Sequence, residues 1–220
     1  MNRRITLNRR VALADEVYAR QVRERCAQGG ILLVNLIGSP GAGKTTLLER
    51  VLPQMPCRCG VVEGDVATSR DAQRIAACGV PVVQINTGGG CHLEAHLVLR
   101  GLEDLPLDDL DLVFVENVGN LVCPAEFDLG EDFKVAVSSV PEGADKPLKY
   151  PSLFSQAACV VLTKTDLLPY LPFDEELFWK DVESLNPRGR RFRVDGLRGD
   201  GAEEWVRFLA ETLETKRCGA

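Results

Sequence analysis

Four groups of residues in this chain have types and spacings that could do chemistry. The first is Gly38-Ser39-Pro40-Gly41-Ala42-Gly43-Lys44-Thr45, a complete phosphate-binding loop. Its glycines let backbone N–H groups curl around the phosphates of a nucleotide, and a helix starting there adds partial positive charge. Gly38, Gly41, Ala42, Gly43 and Thr46 are expected to line the phosphates. Lys44 is expected to reach the outer ones, and the Thr45 hydroxyl to hold Mg²⁺. The second group is a pair of carboxylates, Asp65 in Glu63-Gly64-Asp65-Val66-Ala67-Thr68 and Glu116 at the end of an apolar run. A phosphate-bound Mg²⁺ takes one or two carboxylates, so both are assigned to the metal or to positioning the attacking water.

The third group is Thr163-Lys164-Thr165-Asp166, which resembles the Asn/Thr-Lys-x-Asp element of GTPases. An Asp carboxylate accepts both N–H groups on the pyrimidine edge of guanine. Adenine offers no such pair and would leave the carboxylate unpaired, so Lys164 and Asp166 point to GTP and GDP rather than ATP. Asp195-Gly196-Leu197-Arg198-Gly199 is a candidate cover for the base. It lacks the Ser-Ala-Lys common at that place in GTPases.

The fourth group holds the chain's two histidines, in Gly90-Cys91-His92-Leu93-Glu94-Ala95-His96. A helix read from His92 to Leu102 puts His92 and His96 on one face, four residues apart. Thiolate with imidazole suits Zn²⁺ or Ni²⁺, and the ligand types do not rank the two. Cys91 and His92 are too few for a tetrahedral ion, and Cys123 is the natural addition. A two-fold interface between copies would present Cys91 and Cys123 twice and give a symmetric thiolate site.

These residues need a scaffold. Short apolar runs at 31–37, 60–63, 80–85, 112–116, 133–138, 159–163 and 191–194 alternate with helix-like stretches at 44–52, 69–77, 92–102, 151–157, 175–185 and 201–215. Asn8 is a candidate cap for an earlier helix over 9–27. Such alternation predicts an α/β fold, a doubly wound and mostly parallel sheet of about seven strands flanked by helices. Ligands then lie beyond the carboxyl ends of the strands, where every group above falls. Residues 1–29 are read as an N-terminal helical extension and 30–220 as the nucleotide-binding domain.

Composition narrows the function classes. A net charge of −6 opposes nonspecific nucleic-acid binding. No apolar run approaches ~18 residues, so no transmembrane helix is expected, and a cytoplasmic enzyme is the default. The eight cysteines are not spaced as a secreted disulfide framework. Cys57 and Cys59 read as ordinary thiols, and Cys26, Cys78, Cys159 and Cys218 as structural or incidental.

Taken together, Glu116-Asn117-Val118-Gly119-Asn120-Leu121-Val122-Cys123-Pro124, Glu63–Thr68, Cys91–Ala95 and Asp145-Lys146-Pro147-Leu148-Lys149-Tyr150-Pro151 resemble the hydrogenase nickel-incorporation GTPases of the HypB type, in the SIMIBI class of P-loop GTPases. The resemblance covers roughly residues 30–200, and the Glu116–Pro124 run is highly specific. It implies GTP hydrolysis, a homodimer when GTP is bound, and nickel or zinc held by Cys91, His92 and Cys123, with His96 a second-site ligand. It also implies delivery of nickel to the large subunit of [NiFe]-hydrogenase together with a HypA-type chaperone, without nucleic acid or membrane partners. Lys149 corresponds to a lysine that reaches the partner subunit's nucleotide and aids hydrolysis in trans. Some family members carry an N-terminal Cys-x-x-Cys-Gly-Cys nickel site or a histidine-rich tract; residues 1–28 contain neither, which leaves the interface site. Two other readings of the phosphate loop stand beside this one: a small-molecule kinase or ATPase, and a GTPase serving another metalloenzyme such as urease.

Overall fold

The computed structural model describes the backbone of residues 7–65 and 70–219, and side chains from residue 15 onward within those spans. Val66, Ala67, Thr68 and Ser69, part of two of the predicted segments, lie outside the described residues. Seven strands form one sheet: β1 (Leu32–Gly38), β2 (Cys59–Asp65), β3 (Val82–Asn86), β4 (Leu112–Glu116), β5 (Phe133–Ser139), β6 (Cys159–Thr163) and β7 (Arg190–Val194). Their order is β3-β2-β4-β1-β5-β6-β7, and every pairing is parallel. β1, β4 and β6 are buried along their whole length, as apolar β-branched strands covered on both faces must be. The edge strand β7 places Arg190 and Arg193 outward, charges that discourage pairing with another chain.

The helices are α1 (Leu7–Gly29), α2 (Lys44–Val51), α3 (Arg70–Ala76), α4 (Ala95–Asp104), α5 (Cys123–Glu126), α6 (Lys146–Lys149), α7 (Pro151–Gln156), α8 (Glu175–Leu185) and α9 (Ala202–Cys218). Asn8 lies within the helical backbone of α1 rather than at its cap. One face of the sheet buries Phe114 and Trp205, with ring centroids 6.0 Å apart. On the other face α1 and α4 bury Val22, Cys26, Leu93, Val98 and Leu102 against Leu33 and Val113. Gly130 lets α1 approach: a Cβ there would lie 2.3 Å from the Ala19 carbonyl oxygen. Arg23 pairs with Asp128 beside it, at 2.7 Å.

β1 sits where the chain's direction of progress across the sheet reverses, with β4 on one side and β5 on the other. Crevices of this kind open beyond the carboxyl ends of the strands. The ends of β1, β2, β4 and β6 thus deliver the phosphate loop, Asp65, Glu116 and Thr163–Asp166 to one region.

Candidate nucleotide and metal sites

The phosphate loop turns on Gly41 and Gly43, whose φ values of +75° and +90° few side chains tolerate. Gly38 has no room for more: a Cβ would sit 2.6 Å from the Val137 carbonyl oxygen. Thr163 Oγ1 donates to the Ala42 carbonyl at 2.5 Å and braces the loop from β6. Lys44 is buried and its Nζ donates to the Gly38 and Ser39 carbonyls, at 3.2 and 3.4 Å. Burial lowers its pKa, opposed by Glu116. A phosphate arriving in this loop replaces two carbonyls with a far stronger partner for the ammonium.

Thr45 Oγ1 donates to Glu116 Oε1 at 2.7 Å, while Glu116 Oε2 is buried without a hydrogen-bond partner. With Asp65 on the wall of the same cleft, the donors are all oxygen. An orphaned carboxylate oxygen among hard donors beside a phosphate loop fits Mg²⁺. Glu63, Asp71 and Arg74 also line this cleft, beyond the residues expected from sequence. Glu63 had a signal there: it lies two residues from Asp65 on one strand, so their side chains share a face. Glu63 Oε2 is buried and unpartnered as well.

Burial and the neighbouring Glu116 push the Glu63 carboxyl up to about 8, and burial pushes Glu116 up to about 7. Both lie above the value of an unfolded glutamate, so the folded state holds these protons more tightly. That stability is fully present below the unfolded pKa and is lost as pH rises through 7 to 8. The metal- and nucleotide-free protein is therefore expected to melt several degrees lower at pH 9 than at pH 6, with the difference shrinking once Mg²⁺ and GDP are added. A scanning-fluorimetry series checks it. A melting temperature flat across that range would contradict the assignment of these carboxyls.

The candidate base pocket adjoins the cleft. Asp166, Leu167, Lys164, Gly196 and Leu197 line it, so the 195–199 loop and the Thr163–Asp166 element meet at one pocket. Lys164 takes a left-handed φ of 56° and its Nζ donates to the Gly41 carbonyl at 2.7 Å. Buried Asp195 accepts from the Leu197 and Arg198 N–H groups at 2.7 and 3.1 Å. Arg50 on α2 donates to the Gly196 and Leu197 carbonyls, both at 2.6 Å. The helix that carries the phosphate loop thus also holds the base loop in place.

The sulfur cluster lies beside these sites. Cys91 Sγ is 3.0 Å from Cys123 Sγ and 3.5 Å from His92 Nδ1, and the three ligand atoms lie within 4.8 Å of one another. Sharing a hydrogen bond with Cys123 raises the Cys91 thiol pKa. Burial lowers that of His92, which keeps the imidazole neutral and able to ligate. Its ring stacks on Phe127, with centroids 3.9 Å apart.

His96 is not part of this cluster. The predicted helix over 92–102 begins only at Ala95, and Glu94 just before it is extended. The loop before it is held by Asn117, whose Oδ1 accepts from the Leu93 N–H at 3.1 Å. His92 is therefore on the preceding loop and the two imidazoles do not share a helical face. His96 groups instead with Asp15 and Glu94. Lys149 is exposed, pairs with Asp145 at 2.5 Å, and does not line the nucleotide cleft of its own chain.

Two strands of chain connect the sites. Glu116 runs directly through 117–122 to Cys123. Asn117 ties that segment to Leu93 and, through its Nδ2, to Asn35 Oδ1 at 3.2 Å. Gly119 lies against the phosphate loop, where a Cβ would meet Pro40 at 2.8 Å, and the Asn120 N–H donates to the Gly38 carbonyl at 3.0 Å. On the other side the Thr87 N–H donates to the Asp65 carbonyl at 3.0 Å, four residues before Cys91.

Comparison with known proteins agrees with this architecture. Residues 32–193 match the model of the CobW/HypB/UreG nucleotide-binding domain family. Over 202 residues, 91% of this chain and 68% of the relative, it is 48% identical to hydrogenase maturation factor HypB of Escherichia coli strain K12. It superposes with a TM-score of 0.87 on HypB from Helicobacter pylori crystallised in complex with nickel, at 37% identity over 92% of this chain and 96% of that one. For HypB from Archaeoglobus fulgidus the TM-score is 0.85, at 36% identity over 91% and 99% of the two chains. A small-molecule kinase, the competing reading of the phosphate loop, does not fit these relatives. The chain belongs to the CobW/HypB/UreG family of P-loop GTPases, and within it to the HypB hydrogenase maturation factors.

Proposed function

We propose that this chain is a GTP-controlled nickel carrier that loads [NiFe]-hydrogenase, and that its GTP-bound form is a homodimer. The observation that carries this reading is the direct connection from Glu116 to Cys123 across the phosphate loop, matched by the Thr87 link from Asp65 toward Cys91. GTP binds with its phosphates on Gly38–Thr46 and its base against Asp166 and Lys164. Thr45, Asp65 and Glu116 would hold Mg²⁺, which would supply positive charge against the phosphates. Glu116 and Asp65 move when that charge arrives or leaves; Glu116 is seven residues from Cys123, and Asp65 holds Thr87, four residues before Cys91. Cys91, His92 and Cys123 hold nickel or zinc as cargo, and two such clusters facing each other across a dimer complete the ligand set. Lys149, which does not line the cleft of its own chain, enters the partner's nucleotide site in this reading. A HypA-type chaperone and the hydrogenase large subunit are the proposed neighbours in delivery. Residues 1–29 are proposed as an extension of a GTPase domain spanning 30–220. A cytoplasmic location is proposed too; no helix among the described residues is long and apolar enough to cross a membrane.

The nickel-bound H. pylori structure supports the cargo, and the family supports the nucleotide. For nucleotide to govern metal, nickel affinity must differ between the two nucleotide states by the coupling free energy, typically ~1–3 kcal/mol or about 5- to 150-fold. Calorimetric titration of Ni²⁺ into the protein loaded with Mg·GDP, and with Mg²⁺ and a nonhydrolysable GTP analogue, measures that ratio. Equal affinities in the two states would overturn the coupling.

A further inference from the structure

Glu63 is the most deeply buried of the acids that line the nucleotide cleft, 2% exposed against 5% for Glu116. It stands directly across from Glu116, its partner in the parallel register of β2 and β4. Register partners on adjacent strands point to the same face, and both residues line the cleft with Lys44 and Thr45. Glu116 gives one oxygen to the Thr45 hydroxyl. Glu63 Oε2 meets no hydrogen-bond partner among the described residues. Glu116, Asp65 and Asp71 repel a charge on Glu63, and Lys44 attracts it.

The plain reading is a carboxyl that stays protonated in the protein interior. It leaves the same orphan, because a neutral carboxyl still carries an O–H and a carbonyl oxygen, and either one buried without a partner is unfavourable. Nor does it explain why a second carboxyl stands in register with the one that fits Mg²⁺. Mg²⁺ gives up its hydration water reluctantly and keeps several waters when bound by protein carboxylates. Those waters need acceptors, and carboxylates that accept from the ligands of a metal orient them and tighten its binding. A buried, unpartnered carboxylate oxygen beside Glu116 is an acceptor of that kind.

We propose that Glu63 is a positioning residue for the nucleotide's cation: Oε2 accepts a hydrogen bond from the ion's hydration water, and the carboxylate makes tight nucleotide binding conditional on Mg²⁺. The role rests on Thr45, Asp65 and Glu116 being the residues that hold the ion. Without a cation, Glu63 and Glu116 set negative charge side by side against the phosphates. With one between them, the same carboxylates favour the nucleotide complex. Glu63 thus acts through the ion and its water, without touching the phosphates.

The test is competition against a fluorescent GDP analogue on the nucleotide-free full chain, in EDTA and across a Mg²⁺ series. Wild type is expected to bind GDP far more tightly once Mg²⁺ is present. Glu63→Gln keeps the shape and loses the charge. It is expected to lose no GDP affinity in EDTA, yet to need at least tenfold more Mg²⁺ for the half-maximal rise. Glu63→Asp, which keeps the charge on a shorter stem, should recover part of the Mg²⁺ response. Electron paramagnetic resonance of Mn²⁺ added to the GDP complex reads cation affinity directly and should show the same order. An equal loss of GDP affinity in EDTA and in Mg²⁺ would make Glu63 a packing residue and overturn the proposal, as would a Mg²⁺ response in Glu63→Gln equal to that of wild type. If wild-type GDP binding ignored Mg²⁺, the assignment of the ion to Thr45, Asp65 and Glu116 would fall, and the role of Glu63 with it.

Discussion

Cys123→Ser is expected to weaken Ni²⁺ binding at the sulfur cluster roughly a hundredfold or more, with GDP affinity within about twofold of wild type. A hydroxyl is a poor ligand for a borderline ion, and the pair of sulfurs 3.0 Å apart is reduced to one. The loss should appear as disappearance of the sulfur-to-nickel charge-transfer band, and gel filtration should show Ni²⁺ no longer favouring a dimer. Nucleotide affinity is the control, because Cys123 touches neither the phosphate cleft nor the base pocket. A variant that keeps the band and the affinity would remove Cys123 from the ligand set. The variant is not expected to unfold: Cys123 is half-exposed and begins the short helix α5.

Asp166→Asn is the largest effect expected on the nucleotide side. The aspartate offers two acceptor oxygens to the two donors of guanine. Asparagine offers one oxygen and one amide, so one bond is lost and two donors face each other. Leaving such groups unpaired in a lined pocket should cost on the order of a hundredfold in GDP affinity. Xanthosine diphosphate, which has a carbonyl where guanine has its amino group, should recover much of that loss. Competition against a fluorescent GDP analogue reads both numbers. An unchanged GDP affinity would remove Asp166 from base recognition, and an equal loss for both nucleotides would place the damage in the loop rather than in the pairing. Lys164 beside it is held to the Gly41 carbonyl, and Leu197 is held by Arg50 and Asp195, so the pocket walls should survive the substitution.

Much of this site is readable in the residues themselves. Gly38–Thr46, Asp65, Glu116 and Asp166 belong to local motifs whose chemistry depends on neighbours a few positions away, and all seven strands fall near the predicted runs. The misreadings come from contacts distant in sequence. The helix at 92–102 starts only at Ala95, after an extended Glu94, and the loop before it is tied to Asn117, some 24 residues on, through the Leu93 N–H. Periodicity cannot see a tether of that kind. Asp15 reaches Ala95 across 80 residues. Arg50 looks like a routine surface residue of α2 until the chain returns at 196–197. α5 and α6 are four residues each, too short to leave a periodic trace. Glu63 is legible in the same motif as Asp65, because a strand's period of two puts both on one face.

The path from Glu116 to Cys123 is also a ruler. Its first residue belongs to the phosphate chemistry, its last to the sulfur cluster, and Gly119 is pinned between them with no room for even a methyl group against Pro40. Substitutions along it that respect that pin, such as at exposed Val122, alter only a surface. Inserting or deleting one residue on either side of Gly119 is a different kind of change. Every ligand and every phosphate contact would still be present in the sequence, yet the cysteine would sit one step out of phase with the glutamate. Length, more than composition, is what this segment can least afford to vary.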